Sequence, residues 1–210
     1  MIKQELQKDN NLVKEKSIKG HKKKKSKLRE TFETIIIAFL LAIFIRATIA
    51  EARYIPSESM LPTLEIGDRL IIEKISNHFG IPNRGDIIVF YPPNRTELNT
   101  DLFTSIVRWL GFTSDVAYIK RVIGLPGEKL SVENGTIFIN GEPLEEPYIN
   151  EKPFYEYPVI TVPKDSIFMM GDNRNNSLDS HVWGPLPIKN IIGKAVFRFW
   201  PPNRIGLTVK

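Results

Sequence analysis

The sequence predicts a mainly β protein, an antiparallel β-sheet domain tethered by one N-terminal transmembrane helix. Three observations carry this reading. One unbroken apolar run, Ile35–Ile45, stands behind a lysine-rich stretch. After residue 53, seven short segments rich in β-branched and aromatic residues are separated by turn residues. The 15 prolines and 13 glycines are spread along all 210 residues, which suits short strands and turns better than a helical bundle. At 42% apolar and 25% charged, the composition is that of a chain with a packed core. The chain has no cysteine, which excludes a disulfide scaffold, a thiol nucleophile and a thiolate metal site.

Taken in order, residues 1–30 carry eleven Lys/Arg against four Asp/Glu and have no apolar period. They read as a disordered, basic, cytoplasmic tail. Residues 31–52 read as a single transmembrane helix. Its segment Thr34–Ala50 holds one charge, Arg46, and 17 helical residues rise about 25 Å, near the short end of what crosses a bilayer. Arg46 lies where a long side chain can snorkel to the headgroups. The positive-inside rule then places residues 53–210 across the membrane. A cleaved secretory signal fits the same residues, with Ala50-x-Ala52 as its cleavage site, and it also leaves the rest of the chain exported. The lipid bilayer is therefore an expected partner. Residues 31–210 carry eighteen Lys/Arg against twenty Asp/Glu, so the positive excess sits in the tail and no nucleic-acid partner is expected.

The expected strands are Ile87–Tyr91, Tyr118–Ile123, Lys129–Val132, Thr136–Asn140, Val159–Val162, Ser166–Met170 and Ala195–Trp200. Asn134-Gly135 is a two-residue hairpin signal between two of them, and Asn140-Gly141 closes the second. Asn94–Val116 has no strand pattern, and its Leu102–Leu110 part suggests a short amphipathic helix in an insertion. Pro143, Pro147, Pro153, Pro158 and Pro163 suggest an extended excursion over the surface.

Three segments could carry chemistry. Pro56-Ser57-Glu58-Ser59-Met60-Leu61-Pro62-Thr63-Leu64, taken alone, is an ordinary polar loop past a helix. In Tyr118-Ile119-Lys120-Arg121-Val122-Ile123-Gly124-Leu125-Pro126-Gly127, a strand lysine would ordinarily point to water. Gly171-Asp172-Asn173-Arg174-Asn175-Asn176-Ser177-Leu178-Asp179-Ser180 could be a plain turn. Its mixture of amides, arginine and hydroxyls argues against a hard-cation site, which needs more carboxylates. No metal and no cofactor are expected.

Together, and in this order, the three segments resemble those of bacterial type I signal peptidases, also called leader peptidases, over about residues 31–202. The resemblance implies a largely β catalytic domain with Ser59 as nucleophile and Lys120 as general base. It implies an oxyanion hole made by the Ser57 hydroxyl and the Ser59 amide, and a Ser177 that hydrogen-bonds and orients the lysine. Asp172, Arg174 and Asp179 fall on positions that brace the site. Asn175 stands where an aspartate is frequent. His181 stands where an arginine often ties Asp179 to the residue after the lysine, and Arg121 is left to pair with Asp179. The implied substrates are signal peptides of exported preproteins, with small side chains at the first and third positions before the cut. The implied place is the cell membrane, N-terminus inside and catalytic domain on the outer, periplasmic face, with another internal membrane as the alternative.

The residue types suit that chemistry. A serine hydroxyl needs a base to become a nucleophile. Lysine serves only when neutral, so its ordinary pKa of about 10.4 must fall by several units. Burial achieves this and a neighbouring carboxylate opposes it, so no acidic side chain is expected in contact with the Lys120 amine. Ile55, Met60 and Leu61 are expected to line shallow apolar substrate pockets. Three other readings predict different outcomes. A Ser–His–Asp hydrolase would use Ser59, His181 and Asp179. A repressor-type protease would use Ser–Lys chemistry on itself. A tethered non-enzymatic β module would tolerate loss of Ser59.

Overall fold

The computed structural model describes residues 27–76, 80–93 and 117–208. The expected disorder of the tail up to Ser26 and the expected helix at Leu102–Leu110 lie outside these residues. Residues up to Leu41 form one unit and the remainder another.

Helix α1 spans Lys27–Thr48 and is long and apolar enough to cross a membrane. Its large side chains Ile35, Ile37, Phe39, Leu40, Leu41 and Phe44 are all more than half exposed. Apolar residues on every side of an uncovered helix do not fit a buried core helix. The Thr31, Thr34 and Thr48 hydroxyls donate to carbonyls one turn back, so these polar side chains are satisfied within the helix.

The helix stops at Thr48, short of residue 52, where the expected transmembrane segment ended. Residues Ala50–Tyr54 instead form strand β1, which pairs with β2 (Arg69–Glu73) from Ala50↔Glu73 to Tyr54↔Arg69. A charge cluster fixes the switch. The Glu51 carboxylate takes Lys74 Nζ at 2.6 Å and Arg53 Nε at 2.5 Å. Burial alone would raise the Glu51 pKa, but the two cations outweigh it and hold the carboxyl below its ordinary value. Lys74 Nζ also donates to the Arg46 carbonyl at 3.1 Å, an orphan acceptor of the last helical turn.

The remaining elements are β3 (Ile87–Phe90), β4 (Tyr118–Gly124), β5 (Lys129–Glu133), β6 (Thr136–Ile139), β7 (Glu142–Pro143), β8 (Tyr157–Thr161), β9 (Ser166–Met170), the one-turn helix α2 (Ser180–Trp183), β10 (Leu186–Pro187), β11 (Ile191–Trp200) and β12 (Gly206–Leu207). All pairings are antiparallel. The larger sheet runs β1-β2-β11-β3-β4-β9-β10, with β12 on β11, and the smaller runs β7-β6-β5-β8. Both expected turns form. Asn134 and Gly135 lie at φ 50 and 72, Asn140 and Gly141 at φ 54 and 89, as two-residue loops of the I′ kind need.

Strand β3 is buried at all four residues because both faces of the larger sheet are covered. Ile87 and Val89 pack with Met60, Leu64, Leu70 and Ile72, while Ile88 and Phe90 pack with Val122, Ile167, Met169 and Leu186. A third cluster, Ile123, Leu130, Val132, Ile137, Phe168 and Met170, joins β4 and β9 to the smaller sheet. Strand β4 thus contributes to all three clusters through Ile119, Ile123 and Val122, and the chemistry is built on it.

Candidate active site

The loop after β1 is held from beneath. Ile55, Met60 and Leu64 are at most 2% exposed and insert into the core. Ile55 N donates to the Asp68 carbonyl and Gly67 N donates to the Ile55 carbonyl, while Leu64 N closes a helical turn on the Met60 carbonyl. Anchored so, the loop presents Ser57, Glu58 and Ser59 to a groove of about 470 Å³, whose walls include Ile66, Tyr118, Lys120 and Leu178. Of the residues expected to line the substrate pockets, Ile55 and Met60 are buried in the core and Leu61 does not line this groove, whose apolar wall is made by Ile66, Tyr118 and Leu178.

Lys120 pairs opposite Ile88 in the register of β3 and β4. Tyr118 and Lys120, two residues apart, reach the groove together, as strand periodicity requires. The lysine is only 5% exposed. Its Nζ lies 2.6 Å from Ser59 Oγ and donates to its neighbour's carbonyl, Ile119 O, at 3.0 Å. Burial pulls the amine's pKa down to about 8, against the smaller opposing pull of the Asp179 and Asp172 charges. Among the described residues no acidic side chain hydrogen-bonds or ion-pairs with this amine. Ser57 Oγ is 3.3 Å from Ser59 Oγ, at the exposed edge of the groove.

Ser177 departs from expectation. Its Oγ is buried and has no hydrogen-bond partner among the described residues, and the donors of Lys120 go to Ser59 and Ile119 instead. What Ser177 does is pack against Gly171. A methyl group on Gly171 would collide with Ser177 Oγ and with the Ser59 carbonyl oxygen, so the chain leaving β9 approaches the nucleophile loop as closely as only glycine permits. Asn173 seals the same contact, with its N donating to the Ser59 carbonyl at 3.2 Å and its side-chain amide to the Glu58 carbonyl at 3.2 Å.

The bracing network also differs in its partners. Arg121 does not pair with Asp179. Its Nε and Nη2 form a two-pronged pair with Asp172 at 2.8 and 2.6 Å, both residues being 1% exposed. Nη1 donates to the Gly85 carbonyl, Thr63 Oγ1 donates to Asp172 Oδ2, and the guanidinium stacks 4.0 Å over the Tyr148 ring. The planar fork of Arg121 matches the nearer carboxylate, and the turn carries Asp179 away to cap α2. There Asp179 meets His181 Nδ1 at 2.7 Å and accepts Gly171 N at 2.8 Å. Arg174 forks onto Glu146 at 2.7 and 2.7 Å and donates Nε to the Gly171 carbonyl. Burial opposes its charge, but Glu146 prevails and raises its pKa further. Glu146 was missed in the sequence, where it reads as part of the proline-rich excursion. Among the described residues no group of three or more His, Asp or Glu side chains is placed to hold a metal ion.

A buried, pKa-lowered lysine in contact with a serine, beside a groove with an apolar wall, is equipped for acyl transfer. Comparison with known proteins agrees. The family described as "Signal peptidase, peptidase S26" matches residues 28–200. The signal peptidase I of Leptolyngbya laminosa is 55% identical over 86% of this chain and 84% of its own. The probable signal peptidase I-1 of a Synechocystis strain is 50% identical over 85% and 86%. A crystal structure of a signal peptidase I from Enterococcus faecalis, 28% identical, covers 55% of this chain and 97% of its own at a TM-score of 0.42. The chain therefore belongs to the signal peptidase family, peptidase S26, as a serine endopeptidase that cleaves signal peptides from preproteins.

Proposed function

We propose that Ser59 is the nucleophile and neutral Lys120 its general base, in an enzyme anchored to a membrane by α1. The observation that carries this reading is the 2.6 Å contact between Lys120 Nζ and Ser59 Oγ at an amine that burial pulls down to about 8. In the first step Ser59 Oγ bonds to the scissile carbonyl carbon and Lys120 takes the hydroxyl proton. The carbonyl oxygen becomes an oxyanion and meets the Ser59 amide and the Ser57 hydroxyl. The C–N bond then breaks, Lys120 hands its proton to the leaving amine, and the signal peptide remains as an ester on Ser59. Water attacks the ester with Lys120 again taking the proton, the acid departs, and Ser59 is restored. Asp172, Arg121, Arg174 and Asp179 hold this geometry from outside, and Ser177 does so through its contact with Gly171. Ile66, Tyr118 and Leu178 accept the small side chains before the cut.

The uncovered apolar surface of α1 supports the lipid anchor, and the lysine-rich residues before it support an N-inside orientation. Ser59 follows the last helical residue by eleven positions, so even a fully extended chain keeps it within roughly 40 Å of the helix end. A signal peptide whose own apolar segment lies in the same bilayer presents its cleavage site at that depth. Small residues at the first and third positions before the cut belong to this reading, as does a cell-membrane location with the catalytic domain on the outer face.

A Ser–His–Asp site is disfavoured because the Ser59 hydroxyl is engaged by Lys120 and Ser57 and, among the described residues, has no hydrogen bond to His181, whose Asp179 contact alone does not make a triad. The test is preprotein cleavage by the full-length chain in detergent or vesicles. Ser59→Ala and Lys120→Ala are expected to lose cleavage and His181→Ala to retain some. Activity surviving in Lys120→Ala and vanishing in His181→Ala would transfer the base role to His181.

A further inference from the structure

His181 lies on the buried carboxylate whose charge reaches the base. Asp179 has no exposed side-chain surface and the His181 side chain has 20%. Both Asp179 oxygens are occupied, Oδ2 by Gly171 N at 2.8 Å and Oδ1 by His181 Nδ1 at 2.7 Å and His181 N at 3.2 Å. The imidazole is clamped on its face by Tyr155, with ring centroids 4.2 Å apart and nearly parallel planes. Gly171 in turn touches the Ser59 carbonyl. One short chain of contacts therefore runs from a titratable ring to the nucleophile loop.

We propose that His181 is a positioning residue for the reaction, holding Gly171 against the nucleophile loop through Asp179 and setting, by the charge it carries, how strongly Asp179 is felt at the Lys120 amine. The charged and titratable groups around this pair are Lys120 on β4, Asp172 and Arg174 on the loop after β9, and Tyr155 with Glu146 behind it. Among these, Asp179 is the largest electrostatic influence that favours protonated Lys120. A cation at position 181 offsets that influence and eases proton loss from Lys120. A neutral donor at 181 keeps the Asp179 geometry and leaves its charge at full strength.

The inference rests on Lys120 as the base, and the experiment separates the two claims. His181→Arg and His181→Gln are compared by the pH dependence of kcat/KM on a preprotein. The acid limb of the Arg variant is expected at lower pH than that of the Gln variant by about half a unit, roughly a threefold difference in rate on that limb. Coincident limbs in two variants that melt at similar temperatures would overturn the proposal. A purely structural role would change rate at every pH alike and leave the limb in place. Because an arginine at 181 could prevent folding, the titration of Lys120 is also followed by NMR of the side-chain nitrogen in Ser59→Ala, with no turnover required. His181→Lys and His181→Gln are each added to Ser59→Ala, and the Lys120 midpoint is expected at lower pH with the cation at 181 than with the neutral amide. Coincident midpoints refute the coupling whether or not Lys120 is the base.

Discussion

Lys120 Nζ lies 2.6 Å from Ser59 Oγ although 61 residues separate them in the chain. The strand that carries the lysine is central in the larger sheet, and the loop that carries the serine is pinned to the same core by Ile55, Met60 and Leu64. The contact is therefore a consequence of packing, and disturbing the packing around it has calculable effects.

Lys120→Met removes the base and a buried charge at once. Cleavage is expected to fall by roughly 10²–10⁴, while stability at pH 7 rises. The sign follows from the lowered pKa: between about 8 and 10.5 the unfolded chain binds more protons at this site, so stability contributed there is lost as pH falls through that range. The shift corresponds to about 3 kcal/mol at a site only 5% exposed, an upper figure for what methionine recovers. Lys120→Arg is expected to be inactive, because a guanidinium stays charged. Urea denaturation and preprotein cleavage of both variants provide the check.

Ser57→Ala takes a hydroxyl from the groove 3.3 Å from the nucleophile without touching the core. If it donates to the oxyanion, kcat falls by roughly 10²–10³, with KM and melting temperature little changed. A loss confined to KM would make Ser57 a binding residue.

Gly171→Ala places a methyl group against the Ser59 carbonyl and Ser177 Oγ. The backbone of the nucleophile loop must move, with a stability cost of about 1–3 kcal/mol and a drop in cleavage larger than that cost explains. Thermal denaturation alongside kinetics separates the two effects.

Arg121→Met leaves Asp172 charged, buried and without its counter-ion, an expected loss of about 3–5 kcal/mol. Arg121→Met combined with Asp172→Leu removes both charges and is expected to recover much of it. Chemical denaturation of the two single variants and the double variant completes the cycle.

The seven expected strands all exist, because each is a short β-branched or aromatic run bounded by Gly, Pro or Asn, and the Asn-Gly pairs turn as their left-handed backbone allows. Strand β2 was not recognised, since Arg69 and Glu73 give its ends a surface look, and β1 was absorbed into the end of the apolar helix. Both are set by long-range pairing, with each other and with β11, which local sequence does not contain. At the site, the three motifs showed which side chains converge but not who pairs with whom. Arg121–Asp172 and His181–Asp179 depend on where the turn after β9 directs each carboxylate, and Arg174–Glu146 on an acid brought in from the segment between β7 and β8.

The most direct test is the pH dependence of kcat/KM for preprotein cleavage between pH 5 and 10. If a neutral Lys120 is the base, the rate rises tenfold per pH unit on the acid side and levels off through a single inflection near 8, where burial places the amine. A rate already level at pH 7, or an inflection near the ordinary histidine value of about 6.5, would contradict the Ser59–Lys120 assignment.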